Sequence, residues 1–405
     1  MKLKVNNILV FLLFCCFCLC PVNYSFIFSL RIMDLLFITL FFLFLLTNPT
    51  FDYIVLMVVL LIFCTLLFSS FLGLRISTEI NYERFGFIYK YFFLLATPWV
   101  VKSIIKTKKQ LKIAYLLLLT SFIFMCSWSY FYLLLVYFDM IEGGIRLCYP
   151  FSRDYFVSDA HLYSSYIGFF TIAYLIFLRP FFSHRLLLSF CITTNAFIAL
   201  LLAGSRTGIL IVAVSIMLIS SYKILIFLSR SRHFVSLRRL FFLTLGTLAL
   251  LISSHYIVQF SSYTSDYDYL IERSLNFDLF NDDSSSLRVK MLNISLIESE
   301  YSLWMFGSGF FSKYKWYDGI LSILVAHGGF PLVLMFVILV FIFWFKSLLT
   351  FNNSHIVLVF TLLVLIYVTA NVITEHAFIS RNAFPIISFL TLYLKFSNFD
   401  SRTIA

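Results

Sequence analysis

The sequence predicts an all-α, polytopic membrane protein with about twelve transmembrane helices, and three observations carry that prediction. Of 405 residues, 61% are hydrophobic and 12% charged, whereas a soluble domain is about 45–50% apolar and about 25% charged. Sixty-one per cent of the chain is about 247 residues, room for roughly twelve apolar runs of about 20 residues each. Positive charge is also divided unequally among the connections between those runs. A soluble globule is excluded. The net charge of +11 then speaks about membrane orientation rather than nucleic acid.

Taken in order, apolar windows of spanning length fall at about 8–24, 27–46, 53–72, 85–104, 111–137, 161–178, 186–203, 208–228, 240–257, 320–345, 355–373 and 383–396. The first follows a basic start, Met1 to Asn7, as a signal peptide would. No small-x-small cleavage site follows it, and Pro21 leads straight into another apolar run, so it reads as a retained span. Alternation from a cytoplasmic N-terminus puts 17 basic residues on the inner connections, among them Lys102, Lys106, Lys108, Lys109 and Lys112, and Lys223, Arg230, Arg232, Arg238 and Arg239. Only Asp52 and Asp400 oppose them there, while the outer side takes 16 of the 19 acids. Both termini are therefore expected inside, and residues 1–405 read as one integral membrane domain.

Two outer loops are longer than a connection needs, at about 138–160 and about 258–319. Within the second, Leu287, Met291, Ile294, Ile297, Tyr301 and Trp304 recur at helical spacing, with Arg288, Lys290, Asn293, Glu298 and Glu300 between them. This predicts an amphipathic helix capped by Asp283 or one of Ser284–Ser286, ended by Gly307-Ser308-Gly309, and lying apolar face down on the outer membrane boundary. The 52 Phe read as bulk lipid-facing surface, and the eight Cys as small buried hydrophobes, with Cys148 alone in a polar loop.

Ionisable groups in or at a membrane are costly, so each needs a reason. Arg31 and Asp34, spaced i, i+3, read as a mutually neutralising pair that fixes packing, and Lys90 can snorkel outward. Arg206 in Gly204-Ser205-Arg206-Thr207-Gly208, Arg288 at the start of the amphipathic helix, and Arg381 in Ser380-Arg381-Asn382 all place positive charge at outer helix ends, against the insertion rule. Two of the three stand at helix N-termini, where free backbone N–H groups add to a guanidinium fork in holding phosphate. Acid-base candidates on the same side are Asp318, His327, Glu375, Asp159 and His161. The chain carries no Walker loop, dinucleotide fingerprint or His-Glu-x-x-His, which argues against a nucleotide-fuelled reaction.

The order of these motifs resembles the bacterial O-antigen polymerase and ligase superfamily, the Wzy-type polymerases in particular. The resemblance rests on Ala203-Gly204-Ser205-Arg206-Thr207-Gly208 opening a span, an outer loop with Arg288, and Trp304-Met305-Phe306-Gly307-Ser308-Gly309-Phe310. Tyr317-Asp318-Gly319, Gly328-Gly329, Thr374-Glu375 and Pro385 follow. It covers about 200–390, roughly half the chain. Ligases typically show His-Asn where this chain has Asp318-Gly319, and His327 lies nine residues further on, which favours polymerase over ligase.

The resemblance implies a GT-C-like fold in the bacterial inner membrane, no cofactor and no metal, and two undecaprenyl-diphosphate-linked oligosaccharides as substrates joined on the periplasmic face. Arg206 and Arg288, with Arg381, would hold the donor's diphosphate. One of Asp318, His327 and Glu375 would take the proton of the attacking hydroxyl, with inversion at the anomeric carbon. Membrane lipids and a chain-length regulator are the implied partners, and nucleic acid is not. Rival readings are an O-antigen ligase acting on lipid A-core and a flippase of the same lipid-linked glycan.

Overall fold

The computed structural model describes residues 2–22, 31–47, 53–74, 96–138, 140, 146–150, 160–175, 186–205, 208–209, 211–213, 215, 283–300, 305–309, 311, 319–350 and 383–396. Among these the regular structure is helical, and no β-strand occurs. The helices are α1 Lys2–Leu19, α2 Ile32–Thr47, α3 Tyr53–Gly73, α4 Lys108–Tyr137, α5 Ala160–Ala173, α6 Leu186–Leu202, α7 Asp283–Glu300, α8 Ile320–Thr350 and α9 Ala383–Phe396. Residues 96–104 are also helical, as are 208–209 and 211–213. The windows expected at 240–257 and 355–373 lie outside the described residues.

Local chemistry explains where the ends depart from the apolar windows. α1 stops at Leu19, before the Cys20-Pro21 pair, because a residue preceding proline is pushed out of the helical region. α2 starts at Ile32 rather than 27, where the Asp34 carboxylate accepts the Arg31 backbone N–H at 3.0 Å. Asp34 thus caps its own helix through Arg31's backbone. α4 begins at Lys108 rather than 111, because Thr107 and Gln110 form a reciprocal capping box that hydropathy does not register.

α8 departs most. It was expected as one span, but Gly329 breaks it with φ 64° and ψ −156°, a conformation open essentially to glycine alone, and Pro331 follows. Proline is tolerated there because it stands in the first turn of the second half-helix.

α4 packs on α1, α5, α6 and α9, while α8 packs on α3 and α7. The interior is aromatic. Phe389 of α9 lies 5.8 Å from Tyr115 of α4 and 6.0 Å from both Phe169 and Phe170 of α5, measured between ring centroids. Phe384, one end of the same helix, meets Phe17 of α1 and Phe37 of α2 at 5.6 and 5.3 Å. The phenylalanines are therefore not only lipid-facing surface: a set of them fills the core at edge-to-face and tilted angles, the geometries that ring quadrupoles prefer. Others do face outward. Leu46 is 82% exposed and Phe71 68%, alongside Phe42, Met57 and Phe11.

α4, and α8 over Ile320–Ile338, are long and apolar enough to cross a membrane, and shorter apolar helices accompany them.

Candidate functional site

α6 ends in a turn built from residue chemistry. Ala203 N–H donates to Ala199 O at 3.1 Å and Gly204 N–H to Leu201 O at 2.9 Å. Gly204 then takes φ +56°, the left-handed cap that only glycine adopts without cost. Ser205 follows in the interior, where it is 1% exposed. Its hydroxyl lies 2.9 Å from Nδ1 of His161, in the first turn of α5.

The third member comes from the short segment 146–150, between α4 and α5. Arg146 is 5% exposed, a burial that an arginine tolerates only when its donors are satisfied. Its Nε donates to Ala203 O at 3.0 Å, and its Nη1 and Nη2 lie 3.3 and 3.2 Å from Nε2 and Nδ1 of His161. Beside it, Leu147 N–H donates to Leu202 O at 2.9 Å, and the buried Cys148 thiol donates to Arg146 O at 3.4 Å. Tyr149 packs on Tyr163 and Tyr166 of α5. These two tyrosines are tied to α4 in turn: Tyr163 O–H donates to Met125 O at 2.6 Å, and the Tyr166 hydroxyl sits 3.1 Å from that of Ser121.

Gly208, at the far end of the same motif, is fixed by close packing. A Cβ there would stand 2.3 Å from the Ser164 carbonyl oxygen of α5, and a Cβ on Gly168 would stand 2.7 Å from Gly208 O. Small residues let two backbones meet in this way. Ser205 and Gly208, which flank Arg206 and Thr207 in sequence, are thus both held against α5.

A second polar assembly joins α7 to the break in α8. Ser308 donates its N–H to Ala326 O at 2.8 Å and its hydroxyl to Oε2 of Glu298 at 2.9 Å. Glu298, Ser295 and Ser299 are buried, while Val289 and Ile297 are exposed. The side of α7 turned to the protein is therefore rotated by about a quarter turn from the side its apolar repeat marks. The reason is chemical: a buried carboxylate with a hydroxyl partner holds the helix where the repeat would have set Ile297.

Gly307-Ser308-Gly309, expected only to end the helix, is a wedge. A Cβ on Gly307 would lie 2.3 Å from Ala326 O, and Phe306 stacks edge-on against Phe68 of α3 at 4.6 Å. Tyr301 and Trp304 lie outside the described residues.

Of the residues expected to form the site, Arg288 is half-buried on α7, on the side that carries Ser295 and Ser299. His327 is buried within α8, immediately before Gly328-Gly329. His161 is half-buried and belongs to the Arg146 cluster. Arg206, Arg381, Asp318, Glu375 and Asp159 lie outside the described residues, as does Lys90. Compared with protein-family models, curated proteins and solved structures, the chain matches none.

Sequence reasoning passed over Arg146 and the burial of Glu298. Arg146 carried the signal that singled out the other three arginines, a positive charge on the outer side, but no helix end marked it. The polar neighbours of Glu298 made it look solvated.

Proposed function

We propose that the chain is a Wzy-type O-antigen polymerase, an integral protein of the bacterial inner membrane with about twelve spans and both termini cytoplasmic. Its reaction joins undecaprenyl-diphosphate-linked repeat units on the periplasmic face. The observation that supports it most is the construction of the Ala203–Gly208 motif: a left-handed glycine, a buried serine on His161 and a glycine pressed on α5 hold the two sides of Arg206. So much framework around one short turn suits a turn whose position matters chemically.

In the reaction, a hydroxyl of the acceptor sugar attacks the donor's anomeric carbon and the lipid diphosphate departs with its bonding electrons. Negative charge grows on the leaving oxygen, and guanidinium groups fixed beforehand in a water-poor pocket stabilise it without reorganising. Arg206 and Arg288 take that role, with Arg381 as a third cation. A base must take the hydroxyl proton as the new bond forms. His327, 3% exposed beside the helix break, would need α8 to open before it met a sugar, which leaves Asp318 and Glu375 as the carboxylate candidates.

One observation favours a second reading, a flippase of the same lipid-linked glycan: transporters bind substrate at broken helices, and α8 is broken. Against it, the break is filled by Phe306 and Gly307 of the chain itself.

Deleting the gene separates the readings. Loss of a polymerase leaves lipopolysaccharide capped with a single repeat unit, whereas loss of a flippase or a ligase leaves it uncapped. Complementation with Arg206→Ala or Arg288→Ala is expected to restore no long chains at normal protein level. Arg206→Lys should rescue poorly, because an ammonium cannot fork. Unchanged ladders in both alanine variants would overturn the anion site.

A further inference from the structure

We propose that Arg146 and His161 form a positioning latch, which clamps outer-loop segment 146–150 to the turn at 203–205 and thereby sets the stretch of chain that carries Arg206. The proposal rests on the reading of Arg206 as a diphosphate ligand, and it concerns residues to which that reading gives no role.

The latch is built from four contacts of different kinds. The Arg146 guanidinium reaches Ala203 O through Nε at 3.0 Å and lies against the His161 ring, with Nη1 3.3 Å from Nε2 and Nη2 3.2 Å from Nδ1, one of which accepts in a neutral imidazole. Leu147 N–H adds a backbone bond to Leu202 O at 2.9 Å. His161 then passes the constraint to Ser205, whose hydroxyl is 2.9 Å from Nδ1. One planar group thus touches both the turn that follows α6 and the first turn of α5. Because a guanidinium presents its donors in a rigid fork, it fixes the two partners relative to each other.

Arg146 acts as a positioning residue rather than a catalytic one. It is almost wholly buried, and its guanidinium is directed at a carbonyl and an imidazole of the protein. His161 is half-buried between that guanidinium and Ser205, so its ring also serves the turn. A lysine at 146 keeps the charge but loses the rigid planar fork, so it does not fix Ala203 O and His161 in one relation. A glutamine at 161 keeps an acceptor of similar reach; an alanine removes it.

The native thiol next to the latch supplies a readout independent of activity. Cys148 is buried and bonded to Arg146 O, so it should resist a charged, water-borne maleimide while the latch is closed. The experiment uses full-length protein in cells with a permeabilised outer membrane, in a variant that keeps Cys148 as its one cysteine. Labelling rate and O-antigen ladder are read together at matched protein level.

Expected are slow labelling and long chains in the parent and in His161→Gln, with several-fold faster labelling and shortened chains in Arg146→Lys and His161→Ala. Protection of Cys148 in Arg146→Lys, or failure of His161→Gln to rescue, overturns the latch. The expected labelling pattern in a gene whose deletion leaves the ladder untouched upholds the latch and rejects the polymerase. If Arg146→Lys does not accumulate, Ser205→Ala replaces it, since it deletes one hydroxyl: faster labelling supports the latch and unchanged labelling overturns it.

Discussion

Glu298 shows how far a single carboxylate can redirect a helix. It is 5% exposed, yet it stands in a segment whose spacing marks it for the solvated side. What holds it inward is the Ser308 hydroxyl, which donates to Oε2 at 2.9 Å and also reaches Ala326 O at 3.2 Å. A buried polar group that loses its partner costs about 1–3 kcal/mol, whereas exchanging one acceptor for another costs far less. Glu298→Gln is therefore expected to change stability by about 1 kcal/mol or less, because the amide oxygen still accepts. Glu298→Ala should destabilise by about 1–3 kcal/mol and release α7 from α8. Thermal unfolding of the detergent-solubilised protein measures the difference, with protease sensitivity near 300–310 as a local check. Equal melting of both variants would mean that the Ser308 bond contributes nothing to holding the loop.

The break in α8 belongs to a larger unit, a helix and the loop that enters it. Two residues could be blamed for it, Gly329 and Pro331, and the structure assigns them different parts. Gly329 holds φ 64° and ψ −156°, and a Cβ there would lie 2.7–2.8 Å from the Phe306 backbone. Gly329→Ala thus combines a backbone strain of about 1–3 kcal/mol with a steric clash. Pro331→Ala removes no such constraint and should not rejoin the helix, since the wedge at 306–308 still occupies the gap. The expected result is a clear loss of thermal stability in the first variant and little change in the second; the reverse order would make proline the cause. Hydropathy registers some helix ends and not others. The apolar windows at 53–72 and 383–396 lie within a residue of α3 and α9, whose residues are apolar almost throughout. The starts of α2 and α4 were set instead by Asp34 and by Thr107 with Gln110, side-chain bonds to single N–H groups that add nothing to an apolar average. The Gly-Gly pair at 328–329 was visible, but the partner that makes it a break, a loop some twenty residues earlier, is a tertiary contact that no window contains. In the candidate site, His161 was legible from its side of the membrane. Arg146 was not, because its importance comes from the carbonyl and the imidazole it meets.

Orientation across the membrane is a property of the whole chain, and two independent arguments bear on it. Strict alternation assigns the 138–160 loop, the start of the 161–178 span and the end of the 186–203 span to one side, and these are the segments that Arg146, His161 and Ser205 join. It also assigns to that side the end of α3, the 258–319 loop and the start of α8, which meet through Phe68, Phe306, Ser308 and Ala326. Contacts of this kind support alternation without saying which side is outer. The proposed sign rests on charge: 17 basic residues on one set of connections, against two acids, are expected to resist translocation. The arginines at 146, 206, 288 and 381 are then among the basic residues that fall on the opposite side, and burial in a bonded cluster explains how the first is tolerated. The expected outcome is that green fluorescent protein fused after Ala405 fluoresces, and that alkaline phosphatase inserted at about 150 or about 280 is active while the same enzyme at about 108 or about 232 is not. Activity at 108 and 232 with silence at 150 and 280 would invert the molecule, put Arg146 and Arg288 in the cytoplasm, and remove the periplasmic reaction with them.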